Sequence, residues 1–339
     1  RVTRRLIFLG PKREEWDADG ITFCPTWIDV IEKLVRTSDD DIKVVDQTTC
    51  VWCPEDECGG VCFLQQYIEN KIEIPAPNLE ISSIATLPVV VVSWNVRRLK
   101  TLWGNGGWER LINQHKPDII FCQEVSSSAS QILTLPGFLS FMNKNKYKFI
   151  FWAPNAVSSH LYGNAIFSKL KPEKVIRGFI TKMEDLANTE KDNIKRKLIT
   201  DGRVQTFIFD SKLVFFNVYF PTLKPGTCPI ERKEVRRTIF QEMFLKHMSD
   251  NMFKDYHKII VGDTNTVTDE VFDVPPNFPG TTIAERDFQN SLLQTFKLID
   301  LGKSMSNREH TFKTTWGPIN IRLRLDYILV DRELVFGID

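Results

Sequence analysis

Long hydrophobic runs are missing from this chain. No stretch approaches the ~18 apolar residues of a membrane span, and the longest, around Leu87 to Val92, is strand-sized, so no membrane association is expected. A dominant charge sign is missing too: 44 Lys and Arg stand against 43 Asp and Glu, net +1. The balance conceals an asymmetry, because residues 1–88 hold 9 basic and 16 acidic residues and leave 35 basic and 27 acidic for the rest. A mildly basic working domain with an acidic appendage favours polyanionic partners without singling out nucleic acid. Histidine is scarce, five residues with none beyond His310. The cysteines number seven, an odd total, and without a secretory leader they argue against a disulfide framework. A reducing intracellular compartment is expected, with nucleus, mitochondrion and viral factory all compatible. The first residue is Arg1, so any targeting segment upstream is expected to be invisible here.

What is present is a chain of 339 residues, 42% hydrophobic, enough for a large α/β domain with an extension. The proline-bearing stretch "IPAPNLEISSIATLP" (74–88) reads as a linker between an acidic N-terminal extension, 1–73, and a domain spanning 89–339. Beyond it, strand and helix patterns alternate. "VVVVSWNV" (89–96) and "DIIFCQE" (118–124) are continuous apolar runs of the kind found in strands buried on both faces. "NAIFSK" (164–169), "RVQTFIFD" (203–210), "LVFFNVYF" (213–220), "KIIVGD" (258–263) and "LDYILV" (325–330) read as further strands. "GWERLINQH" (107–115), "ERKEVRRTIFQEMFLKHM" (231–248) and "AERDFQNSLLQTF" (284–296) carry helical spacing. Residues 180–200 are rich in charge and poor in large apolar residues, and read as an exposed insertion. The pattern implies layered sheets with helices outside.

Polar residues stand at the ends of the buried strands: Asn95 in "SWNV", Glu124 in "CQEV", Tyr219 in "NVYFP", Asp263 and Asn265 in "GDTN", and Asp326 opening "DYILV". In open α/β sheets, ligands and catalysts collect beyond the carboxyl ends of strands. Alone, each residue has an ordinary explanation: a strand-end carboxylate, an Asx turn, a helix cap. Together they form a coherent set. One acid, Glu124, among carboxamides suits Mg²⁺, with Mn²⁺ as a substitute, because a hard cation keeps waters and takes one or two carboxylates plus substrate phosphate. No histidine or second cysteine stands ready for a catalytic zinc in these motifs. Asp263 is placed to orient or deprotonate a water, and Asn265, Asn95 and the Tyr219 hydroxyl are neutral donors for phosphate oxygens. That chemistry is metal-assisted phosphodiester hydrolysis.

These motifs, with "KPDIIFCQEV", "YGNAIFSK", "IIVGDTN", "TIAERDFQNSLLQ" and "LRLDYILV", resemble in order those of the endonuclease/exonuclease/phosphatase superfamily, most of all the exonuclease III-type apurinic/apyrimidinic endonucleases. The resemblance runs from about Pro88 to the end and implies a DNase I-like β-sandwich flanked by helices. It implies that Glu124 holds the metal and Asp263 positions the nucleophile. Asn265 and Tyr219 would hold the scissile phosphate, with Asn95 supporting the metal side. Phe312 and Leu325 fall where that branch lines its pocket for a baseless sugar. The implied substrate is nucleic acid, DNA ahead of RNA. The chain departs from the family at Arg97-Arg98, where Asn-Gly is usual, at Thr222 in place of Asn, and at Leu323 in place of an aromatic residue. In the family the acid of "RLDY" orients a histidine in a later Ser-Asp-His segment, which this sequence does not reach. A sequence cut short and a protein built without that strand are both compatible with this, and the joint retention of Glu124, Asp263 and Asn265 favours an active parent. The alternative is a phosphoesterase fold kept as a structural or binding subunit of a larger nucleoprotein assembly. His310 is the nearest histidine on sequence grounds.

In the extension, Cys50, Cys53, Cys58 and Cys62 have the spacing C-x2-C-x4-C-x3-C. Four thiols this close can wrap one tetrahedral Zn²⁺, an iron–sulfur cluster matches the same ligand count, and ordinary reduced thiols need neither.

Overall fold

The structure, a computed structural model, describes residues 5–9, 43–45, 89–155, 162–181, 185–209, 211–222, 230–267, 282–304, 311–316 and 319–337. The four clustered cysteines, the 74–88 linker and His310 lie outside them.

Two six-stranded sheets dominate. The first is built on β3 (Val90–Asn95), β4 (Ile119–Gln123), β5 (Phe149–Pro154) and β6 (Gly163–Ser168). Two short strands from the first 73 residues, β1 (Arg5–Leu9) and β2 (Lys43–Val45), pair in parallel with β3 and β5 at its edges. The second sheet takes β7 (Lys174–Arg177), β8 (Val204–Phe209), β9 (Leu213–Tyr219), β10 (His257–Asp263), β11 (Leu298–Asp300) and β14 (Asp326–Asp331). Its order is β11-β14-β10-β9-β8-β7, so β14 lies between β10 and β11. A separate ribbon pairs β12 (Phe312–Trp316) with β13 (Ile319–Leu323).

Because strand side chains alternate between faces, each buried strand feeds two cores. Val91, Ile119, Phe121, Phe215, Ile259, Val261, Ile328 and Val330 point between the sheets. Val92, Ile120 and Cys122 point outward onto α1 (Leu99–Gly104), α2 (Gly107–His115), α3 (Ala129–Leu133) and α4 (Phe138–Lys144), with Trp108 at 0% exposure among them. On the far side Val214, Phe216, Val218, Ile260 and Leu329 meet α6 (Ile230–Met248) and α7 (Ile283–Thr295). The result is helix, sheet, sheet, helix, as the continuous apolar runs require.

Within the charge-rich stretch 180–200, the described residues 185–200 are exposed or half-buried apart from Leu198, as their composition suggests, and contain a helix. Glu190–Ile199 forms α5, started by Thr189, whose hydroxyl accepts from Asp192 N at 3.1 Å, and anchored by Leu198 at 1% exposure. One buried leucine with Ile194 and Ile199 beside it docks a charged helix onto the second sheet. So narrow an apolar stripe is easily missed in sequence. Among the described residues no helix is long and apolar enough to cross a membrane. The short α8 (Leu301–Ser304) follows β11.

Candidate active site

Register places five of the sequence-selected residues at one end of the sandwich. β3 and β4 run parallel with Asn95 opposite Gln123, so Asn95 and the following Glu124 leave the first sheet side by side. β9 and β10 are also parallel and pair Tyr219 with Asp263. β14 runs antiparallel to β10, which sets Asp326, its first residue, opposite Asp263. A side-chain bond then closes the gap between the sheets. Asn95 Nδ2 donates to Glu124 Oε1 at 2.9 Å and to Asp263 Oδ2 at 3.0 Å. One carboxamide spends both its hydrogens on two acids from different sheets.

The turns that present these groups are strained in the same way. Glu124 (φ 53°), Asn265 (φ 48°) and Arg97 (φ 54°) all adopt left-handed backbone without being glycine. Such conformations cost ~1–3 kcal/mol each and concentrate at functional sites. At Asn265 the turn brings its backbone N–H to Asp263 Oδ1 at 2.7 Å, while its Nδ2 donates to Phe220 O at 2.9 Å. Gly262, just before Asp263, has φ +130°, and a Cβ there would lie 2.1 Å from Val218 O. Only glycine lets β10 approach β9 closely enough to deliver the acid.

Burial and mutual repulsion govern the charges. Asp263, 6% exposed, is pushed up to about 7, first by burial and then by Glu124, against the opposing pull of the Asn265 N–H, Asn95 and Arg237. Asp326, 4% exposed, is held well above the carboxylate range by burial and by Asp263. Its Oδ1 is buried with no hydrogen-bond partner among the described residues. Burial and then the Glu124 charge also raise the Tyr219 phenol, so its hydroxyl stays a neutral donor. Three carboxylates crowded into a poorly solvated mouth, one with an orphaned oxygen, are a donor set that a divalent cation would relieve. Among the described residues, ligand atoms mutually within 4.8 Å occur at His257, Asp331 and Glu333, which lie at the opposite end of β10. The mouth itself is a more open arrangement, suited to a cation that completes its shell with water and phosphate oxygens.

The remaining sequence-selected residues fall around this centre. Leu325 is 7% exposed, and its carbonyl accepts from Thr264 N at 2.9 Å, which ties β14 to the "GDTN" turn. Phe312 pairs with Leu323 in the small ribbon, and its side chain lies outside the described residues. No described histidine bonds to Asp326: His257 starts β10 at the far end, and His247 is buried against Thr206.

Several residues of the site carried no assigned role in sequence. Gln123, at 0% exposure, donates to Asn217 Oδ1 at 2.7 Å, and Asn217 Nδ2 donates to Gln205 Oε1 at 3.2 Å. Asn164 Nδ2 donates to Arg203 O at 3.0 Å and Asn217 O at 3.1 Å, so a polar plug joins the sheets beneath the acids. The Arg203 guanidinium stacks 3.7 Å from the Tyr162 ring centre and 4.6 Å from that of Tyr219, and donates to Tyr219 O at 3.1 Å. The available signal was asparagine inside apolar strands, in "YGNAIF" and "FFNVYF", where an unpaired amide would be costly.

A family model described as "Endonuclease/Exonuclease/phosphatase family" matches residues 92–337. No curated protein matches the chain in sequence. Among solved structures, a 3'-5' exonuclease (NExo) from Neisseria meningitidis superposes with a TM-score of 0.53 at 19% identity, over 72% of this chain and 87% of that one. The Xenopus laevis APE2 catalytic domain gives a TM-score of 0.53 at 20% identity, over 73% and 83%. The AP endonuclease LMAP from Leishmania major gives 0.53 at 16%, over 72% and 79%. At these identities the likeness is one of fold.

Proposed function

The chain belongs to the endonuclease/exonuclease/phosphatase family, and from that premise we propose that it is a divalent-metal-dependent phosphodiesterase of nucleic acid, an abasic-site endonuclease or 3′-exonuclease acting on DNA in repair. The observation that carries the reading is the shared Asn95 amide, which holds Glu124 and Asp263 on opposite sheets within one hydrogen-bonding group. Neighbours of the same fold include an exonuclease and an AP endonuclease, which supports a nucleic-acid substrate.

Glu124, the half-exposed acid of the set, is the residue that would hold Mg²⁺ (or Mn²⁺), with Asn95 fixing its carboxylate. A divalent cation there supplies charge against the phosphate and polarises its oxygens. Asp263 is the proton acceptor for an attacking water. Burial and the Glu124 charge raise Asp263, and a cation on Glu124 would offset the second cause, so the loaded site would hold this acid ionised and able to take a proton. Its Oδ1 is pinned by Asn265 N and its Oδ2 by Asn95, so the carboxylate cannot rotate away. The Asn265 amide nitrogen uses one hydrogen on Phe220 O and keeps the second for a phosphate oxygen. The Tyr219 hydroxyl, kept neutral by burial, is the other donor.

The test is cleavage of a duplex bearing one stable abasic analogue, and of a 3′-recessed duplex, with magnesium and with chelator. Glu124→Gln should abolish metal-dependent cleavage while duplex affinity stays within about threefold, because recruitment of the cation is lost and the basic surface is kept. Equal activity of variant and parent across a magnesium titration would remove Glu124 from the mechanism. The rival reading is a binding subunit that keeps the fold without the reaction. Duplex binding by the parent without cleavage under any divalent metal would put that reading first.

A further inference from the structure

α6 carries a buried charge that the chemistry above does not use. Arg237 is 2% exposed, too deep to touch a substrate, and burial pulls its guanidinium below the usual arginine range. Its Nε is buried with no hydrogen-bond partner among the described residues, so the two terminal nitrogens carry what compensates the charge. Their partners come from two loops. Arg237 Nη1 donates to Pro221 O at 2.5 Å and faces Asn265 O at 3.5 Å. Nη2 donates to Thr264 O at 3.1 Å and to the Thr266 hydroxyl. Pro221 lies two residues past Tyr219, and Thr264 to Thr266 directly follow Asp263.

The guanidinium is itself held from behind. Glu285 Oε1 stands 3.3 Å from Nη1, and the rest of that carboxylate is committed to the start of α7. Thr282 N and the Thr282 hydroxyl donate to Oε2 at 3.2 Å and 2.8 Å, so the capping box of α7 orients the oxygen that faces Arg237.

We propose that Arg237 is a positioning residue that fixes the spacing between the Tyr219 loop and the Asp263–Asn265 loop, with Glu285 as its orienting partner. The proposal rests on the phosphodiesterase reading for its catalytic consequence, and on the geometry alone for its structural one. The planar fork spans both loops at once, whereas a lysine ammonium, a single point of charge, can brace one of them. A structural ion pair with no reach into the site would leave the turn at Asn265 indifferent to its loss.

The experiment uses the full chain as Arg237→Lys, Asn265→Ala and the double variant, with turnover on the abasic duplex, melting temperature, and amide hydrogen exchange. Arg237→Lys should lower kcat about 10²-fold with KM little changed, as expected when a reacting group is misplaced by about an ångström. The double variant should be no slower than the slower single variant within about threefold, because residues that act as one unit are not additive. Exchange should quicken across 219–222 and 263–267 and stay as in the parent across α2. Multiplicative losses, or unchanged exchange in those two segments, would overturn the proposal. If Arg237→Lys fails to fold, Glu285→Gln provides the same exchange comparison, and parent-like exchange in both loops is again fatal. If the parent cleaves nothing, the phosphodiesterase reading fails, and the exchange result still decides whether Arg237 spaces the loops.

Discussion

At the scale of single residues, Glu124 makes ionisation harder for Asp263, and Asp263 does the same to Asp326. Asp263 illustrates the sign of the effect. Its carboxyl is raised from 3.8 to about 7, so the folded protein binds that proton more tightly than the unfolded chain does. The stability this confers is present below pH 3.8 and is lost as pH rises through about 7. Asp263→Asn keeps the shape and removes the loss. In chelator, the variant should therefore melt several degrees above the parent at pH 8 and close to it at pH 4. Its turnover should be lower by ~10²–10⁴-fold. Thermal melts at the two pH values together with the cleavage assay check both halves, and a variant less stable than the parent at pH 8 would mean that the acid is not held under strain. The acids and Asn95 were legible in sequence because each borders an apolar run, which fixes the strand end and hence the mouth. Arg237 and Arg203 were not, because a basic residue in an amphipathic helix or at a strand start reads as solvated until register brings its acceptors to it.

Elements show where the linear pattern is strong and where it weakens. Strands β3, β4, β9 and β10 are apolar on both faces, so their existence follows from composition, while their order and their pairing, Val91 with Ile119 and Leu213 with His257, do not. The helix α6 contains a further case in His247, 2% exposed. Its Nδ1 accepts from Ile180 N at 3.2 Å, so Nε2 must carry the hydrogen and donate to Thr206 Oγ1 at 2.7 Å. Burial lowers this imidazole from 6.5 to about 4, so its stabilising contribution is complete above 6.5 and is lost as pH falls toward 4, by roughly 3 kcal/mol. This slope opposes that of Asp263 over much of the same range. His247→Gln can keep both hydrogen bonds without titrating. Chemical denaturation at pH 7 and pH 4.5 should show the parent losing more stability than the variant, and equal losses would place the ring in a solvated setting.

The whole molecule holds its candidate site across the seam between two sheets, so occupancy of the mouth by a cation should report on the entire sandwich. A ligand that binds only the folded state stabilises it by mass action. Millimolar magnesium should raise the melting temperature more at pH 8, where Asp263 is largely ionised, than at pH 5, where it is protonated. Glu124→Gln should erase most of that shift, and a shift equal at both pH values would point to binding elsewhere. The insertion of β14 between β10 and β11 has a further consequence, for the order of events during synthesis. A ribosome delivers β10 and β11 before the strand that must part them, so the nascent second sheet has to wait with an open edge, and pairing across large sequence separations is slow. Asp326 enters the mouth with the first residue of that late strand. Until β14 is in place the nascent chain carries Glu124 and Asp263 without their third acid, so the closing of the gap between β10 and β11 and the arrival of that acid are a single event.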